Sequence, residues 1–123
     1  VIFVMDLTLC RAKIHRVRVT DANLAYEGSI TLDAELLEAA GILPYEKVQV
    51  VNVNNGARLE TYVIQSPARP DGPAEVCLNG PAARLGQVGD VIIVIAYGRF
   101  TPTEARGFMP RVVNVDENNR PIR

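Results

Sequence analysis

Tryptophan is absent from this 123-residue chain, and histidine, cysteine, lysine and serine come close to it, with one, two, two and two residues. A lone histidine (His15) and two distant cysteines (Cys10, Cys77) argue against the four-ligand cage of a structural zinc site, so no metal is expected. Two widely spaced cysteines are expected as free thiols of a reducing cytoplasm. Strong charge of either sign is also missing. A formal net charge of −1 gives no electrostatic case for nucleic acid or an anionic membrane. The longest apolar run, Val91 to Tyr97, falls far short of the roughly 20 residues a spanning helix needs. Val1 to Met5 is apolar, but no basic segment precedes it and no small-residue cleavage site follows. It is expected as a first strand, or in part an extension ahead of Met5, and not as a signal peptide. Gly86-Gln87-Val88-Gly89 lacks the lysine and following helix of a phosphate loop.

What remains reads as one small domain over residues 1–123, 48% apolar, long enough for a real core and too short for two. Residues 11–20 alternate, with His15, Val17 and Val19 on one face and Ile14, Arg16 and Arg18 on the other, which predicts a strand with one wet face. Asp21 to Leu24 reads as a turn or single helical turn, and a short strand follows Ser29. Asp33 suits a helix N-cap, Leu36, Leu37 and Ala40 form that helix's apolar face, and Gly41 stops it. Residues 46–53 and 57–64 read as strands joined by the hairpin signal Asn54-Asn55-Gly56. Three prolines in Ser66 to Pro73 make that stretch a loop, taken as a surface insertion. Further strands are expected at 75–78, 91–97 and 112–115, a turn or small helix at 79–87, and a helical turn at 103–106. Many short strands with few helices suggest a mainly β protein built as a small barrel.

Of the two serines, Ser66 precedes a proline in that loop. Ser29 follows Gly28 and opens an alternating segment, Ile30-Thr31-Leu32-Asp33, so it stands at a strand entrance. A Gly-Ser bond can take backbone conformations closed to other residues, and without a Cβ the Gly28 carbonyl is open to the next hydroxyl. On local grounds alone the dipeptide is more often a plain turn.

Its company changes the odds. Lys13-Ile14-His15-Arg16 lies upstream of Tyr26-Glu27-Gly28-Ser29; Asn55-Gly56-Ala57-Arg58-Leu59-Glu60-Thr61-Tyr62 and Leu78-Asn79-Gly80-Pro81-Ala82-Ala83 follow, then Gly89-Asp90-Val91-Ile92-Ile93. In this order, from about Lys13 to Arg111, the chain closely resembles the pyruvoyl-dependent aspartate 1-decarboxylase family. Pro81 and Arg84 depart from it, standing where an alanine and a histidine are familiar.

The resemblance implies a double-psi β-barrel with a few short helices, assembled as a homotetramer with sites between subunits, and a maturation factor as a further candidate partner. It implies a zymogen that breaks itself at Gly28–Ser29 into chains 1–28 and 29–123. Ser29 Oγ would attack the Gly28 carbonyl to give an ester. Elimination would leave dehydroalanine, and hydrolysis with loss of ammonia a pyruvoyl group. That ketone would form a Schiff base with L-aspartate and serve as the electron sink for decarboxylation to β-alanine and CO2, a step of pantothenate synthesis. Tyr62 matches the proton donor. Thr61, Asn79, Gly80, Pro81 and Ala82 match the pocket, and Arg58, with Lys13, is the candidate for a substrate carboxylate, its planar fork suiting that partner. The side-chain carboxylate is the better target, because a cation on the departing one would stabilise the ground state. Tyr26 and His15 have structural accounts as good as any functional one. The contrary expectation is a silent β-barrel for binding or assembly, with Gly28–Ser29 an intact turn.

Overall fold

The computed structural model describes residues 5–122, so the strand or extension expected at Val1–Val4 lies outside the described residues. Eight strands form one sheet in the order β2-β6-β3-β5-β4-β7-β1-β8. They are β1 Leu7–Arg18, β2 Asp21–Asn23, β3 Ser29–Asp33, β4 Lys47–Asn52, β5 Arg58–Ser66, β6 Val76–Asn79, β7 Val91–Phe100 and β8 Arg111–Asn114. The helices are short: α1 Ala34–Ala40, α2 Pro102–Ala105 and a 3-10 turn at Gly80–Arg84.

β1 starts four residues before the expected 11–20 and ends two residues short of it, β7 runs three residues past the expected 91–97, and the two pair antiparallel as the spine of the sheet. The alternation in β1 also differs from the expected one. Ala12 and Ile14 point into the core, and so do Val17 and Val19, while His15 is only half-buried. A β-bulge between Ile14 and Val17 is the reason, since Arg16 sits at φ 65° and the extra residue reverses the phase of the strand.

Asp21 to Leu24, expected as a turn, starts instead as strand β2, which runs parallel to β6; the turn comes only at Leu24. β2 continues β1 after two residues, yet the two lie at opposite sides of the strand order, so the sheet curls back on itself. The joint is pinned on β6, because the Thr20 amide and hydroxyl both donate to the Val76 carbonyl (2.8 and 3.1 Å) and the hydroxyl accepts from the Val76 amide (2.9 Å). The result is a mainly β, barrel-like fold, consistent with the double-psi β-barrel. Its interior is one cluster of aliphatic side chains, among them Ile14, Ile30, Leu32, Leu36, Val63 and Ile92, all fully buried. Each such side chain contributes about 1.5–3 kcal/mol when removed from water.

Helix α1 is bounded as its sequence requires. The Asp33 carboxylate accepts from the Glu35 amide at 2.8 Å, Leu36, Leu37 and Ala40 are buried, and Gly41 closes the helix at φ 69°. The β4–β5 hairpin turns at Gly56 (φ 76°), and Asn52 Oδ1 accepts from the Asn54 and Asn55 amides. β5 runs two residues past the expected end, so Ser66 is the last strand residue and not a loop residue. The proline-rich loop that follows is tied down, because Arg120 donates to the Arg69 and Gly72 carbonyls and Asp33 accepts from the Arg69 amide.

Candidate active site

Strand β3 opens on Ser29 and lies between β5, parallel, and β6, antiparallel. The β3–β6 register sets Ser29 opposite Asn79 and Thr31 opposite Cys77. Residues two apart on a strand share a face, so these four side chains form a square across the ladder. Ser29 is fully buried, Asn79 and Cys77 nearly so. Within the square every polar group has a partner. The Ser29 hydroxyl donates to the Glu27 carbonyl (3.1 Å) and accepts from Asn79 Nδ2 (2.9 Å). Asn79 Nδ2 also donates to Thr31 Oγ1 (2.9 Å), and Asn79 Oδ1 accepts from the Cys77 thiol (3.2 Å). Burial, followed by the Asp21 and Glu75 carboxylates, pushes the Cys77 thiol up to about 11, so at neutral pH it is a protonated donor.

Beside this square the backbone on either side of the Gly28–Ser29 bond is closely packed. Gly80 sits at φ 59°, and a Cβ there would fall 2.5 Å from the Tyr26 carbonyl oxygen and 2.8 Å from the Gly28 nitrogen. Only glycine lets the turn after β6 lie against residues 26–28. A Cβ on Gly28 would in turn meet the Pro81 ring at 3.2 Å. Pro81 stands in the first turn of the 3-10 helix, where a missing N–H costs little, and its ring covers the glycine.

Gly28 opens onto a cleft of about 330 Å³ lined by Leu59, Glu60, Thr61, Tyr62, Pro81, Ala82 and Leu85. The sequence candidates thus divide into three sets. Gly28, Thr61, Tyr62, Pro81 and Ala82 come together in this cleft. Ser29, Asn79 and Gly80 lie behind it, Ser29 and Asn79 joined by their hydrogen bond and Gly80 against the backbone of residues 26–28. Asn79 is the last residue of β6, not part of the turn expected there.

Lys13 and Arg58 line neither region. Lys13 lies on β1, separated from β3 in the strand order by β7, β4 and β5. Arg58 is exposed and donates to Gln49 Oε1 (2.7 Å), which also accepts from the Tyr97 hydroxyl (2.7 Å). The same outer face carries a Lys47–Glu60 ion pair (3.0 Å). His15 is elsewhere too, beside Asn114 of β8, with a buried Nδ1 that has no hydrogen-bond partner.

Cys77, Glu60, Leu59 and Leu85 escaped the sequence reading. For Cys77 a signal existed, since in Val76-Cys77-Leu78-Asn79 strand alternation already sets Cys77 on the face of Asn79. Glu60 stands two residues before Tyr62 on the same strand, a like hint. Nothing in the sequence marks Leu85, which a turn brings in.

Cys10 and Cys77 are both free thiols. Among the described residues, no helix is long and apolar enough to cross a membrane. A sequence model of the family described as aspartate decarboxylase matches residues 5–122. The chain is 69% identical over 115 residues to an aspartate 1-decarboxylase of Salinibacter ruber, an alignment covering 94% of this chain and 77% of that one. It is 62% identical over 119 residues to an aspartate 1-decarboxylase of Desulfitobacterium hafniense (97% and 91% covered) and 53% over 118 residues to one of Thermoanaerobacter pseudethanolicus (96% and 98% covered). With the family model spanning residues 5–122 and relatives this similar over nearly the whole chain, this chain belongs to the aspartate decarboxylase family.

Proposed function

We propose that this chain breaks its own Gly28–Ser29 bond to make a pyruvoyl group and then decarboxylates L-aspartate to β-alanine and CO2. The observation that carries it is the Ser29 hydroxyl, fully buried and held by Glu27 and Asn79 beside a glycine that faces a cleft containing Tyr62. A hydroxyl fixed by two partners has already given up the freedom that attack on its neighbour's carbonyl would cost. In that attack Oγ bonds to the Gly28 carbon, the C–N bond breaks and the hydroxyl proton passes to the residue 29 nitrogen. Loss of the Ser29 α-proton then expels the Gly28 carboxylate. Water enters and ammonia leaves, and no oxidant is needed.

The surroundings fit a small ketone at position 29. The four-residue square offers amide and hydroxyl donors there, and no described cation or carboxylate of the same chain pairs with Ser29. Once formed, the ketone supplies the electron sink that genetically encoded side chains lack. The Tyr62 phenol donates a proton to the carbon that loses CO2. Thr61 orients the substrate by hydrogen bonding, and Gly80, Pro81 and Ala82 wall the cleft.

Arg58, with Lys13, holds the substrate's side-chain carboxylate across a subunit boundary in a homotetramer. Their positions outside the cleft of their own chain support that division of labour. The free thiols suit a cytoplasmic location. Intact-mass measurement tests the whole proposal. The expected result is two chains, 1–28 and 29–123, the second lighter than a serine-started chain, with Ser29→Ala uncut and inactive. An uncut wild-type chain that consumes aspartate overturns it, and a chain that stays uncut and inactive both alone and in cell extract marks a silent barrel. Incubating the purified chain alone also tells whether a maturation factor is required.

A further inference from the structure

Asn79 is the group that touches Ser29, but an amide has two unlike ends, and something must decide which end faces the serine. Ser29 and Thr31 cannot decide, because a hydroxyl donates or accepts with equal ease. The remaining member of the square is Cys77, whose thiol lies 3.2 Å from Asn79 Oδ1 and is buried away from water. A thiol is a donor and only a weak acceptor, so it favours the oxygen end.

We propose that Cys77 is a positioning residue for self-cleavage: by donating to Asn79 Oδ1 it holds the amide so that the NH₂ group faces Ser29 Oγ. The inference rests on the self-cleavage proposed above and adds to it a residue that touches neither the scissile bond nor the substrate cleft. With the amide held this way, Ser29 accepts from Asn79 and keeps its own proton on the Glu27 carbonyl. One lone pair of Oγ is then free for the Gly28 carbon. With the amide reversed, Oδ1 would draw the Ser29 proton off Glu27 and turn the hydroxyl, while the NH₂ group would face sulfur. The register fixes all four positions, because Cys77 and Asn79 share a face of β6 and Thr31 and Ser29 lie opposite them on β3.

The test is the rate at which freshly made precursor splits, followed by intact mass, in wild type, Cys77→Val and Cys77→Ser. Valine fills the space without a donor, and serine restores the donor. Cys77→Val should cleave about tenfold more slowly, the scale of one lost hydrogen bond, and Cys77→Ser within about twofold of wild type. Melting temperatures measured alongside should leave Cys77→Val within a few degrees of wild type. Cleavage of Cys77→Val at the wild-type rate overturns the role, and so does Cys77→Ser as slow as Cys77→Val, because both would mean that the donor is irrelevant. The self-cleavage proposal fails separately, if wild type itself never splits or if Ser29→Ala splits as wild type does.

Discussion

The seam between β3 and β6 and the outer face of β4 and β5 are both rich in polar side chains, and they are built on opposite principles. In the seam Ser29, Asn79 and Cys77 are out of water and each hydrogen bond is specified by backbone register. On the outer face, the Lys47 and Glu60 side chains are 76% and 55% exposed, Glu60 reaching the edge of the cleft, and Arg58 is spent on Gln49. Buried pairs are costly to break because the group left behind stays unsatisfied, by about 1–3 kcal/mol. Exposed ion pairs contribute at most about 1 kcal/mol and exchange partners freely. The first region therefore suits a reaction that a chain performs once on itself, and the second suits groups that must let go of one partner to take another. On the proposed function, cutting would use residues of the seam within one chain, whereas turnover would also draw on Arg58 and Lys13, which the same chain leaves outside its cleft.

Substitutions on the two sides can break that division. The largest effect is expected from Tyr62→Phe, which removes the proposed donor. Splitting should proceed normally while kcat for aspartate falls by about 10²-fold or more. Slowed splitting in the same variant would move Tyr62 into the seam's chemistry. Arg58→Ala should raise KM for aspartate about 10- to 100-fold through loss of charged hydrogen bonds, again with the splitting rate unchanged; an unaltered KM removes Arg58 from substrate binding.

Gly80→Ala attacks the other side. The added Cβ falls 2.5 Å from the Tyr26 carbonyl, at a positive φ, so unfolding by denaturant should show a loss of about 2 kcal/mol, with slower splitting because residues 26–28 must shift. Wild-type stability there would mean that the turn relaxes without cost.

The smallest effect concerns His15. Burial, then the charges of Lys13 and Arg16, lower its pKa from 6.5 in the folded chain. The unfolded chain thus binds the proton first, and the folded state loses stability as pH falls below about 6.5. His15→Gln should flatten that decline, which melting curves at pH 7.5 and 5.5 would register; an equal decline in both chains assigns the acid sensitivity elsewhere.

Helix α1 was legible down to its capping aspartate and closing glycine, because caps depend on a few neighbouring residues. The β4–β5 hairpin was legible for the same reason. The bulge at Arg16 was not, since an arginine at positive φ carries no local mark and is held there by pairing with β7 and β8. Nor was β2, whose three residues become a strand only because β6 is beside them. In the candidate site, the motif named Gly28 and Tyr62, which the fold brings to one cleft, and Pro81, an apparent departure, packs on Gly28. Arg58 and Lys13 were named as pocket residues, yet they stand outside the cleft of their own chain.

By itself the sequence determined the family this chain belongs to, the candidate residues to look for and the local elements that hold them, since those depend on residue types and short-range spacing. The tertiary structure alone decided that Cys77, Thr31 and Asn79 close around Ser29, and that Lys13 and Arg58 do not line the cleft of their own chain. Those facts depend on strand register, and register is a property of two segments meeting across roughly 50 intervening residues, fixed by the core they jointly bury.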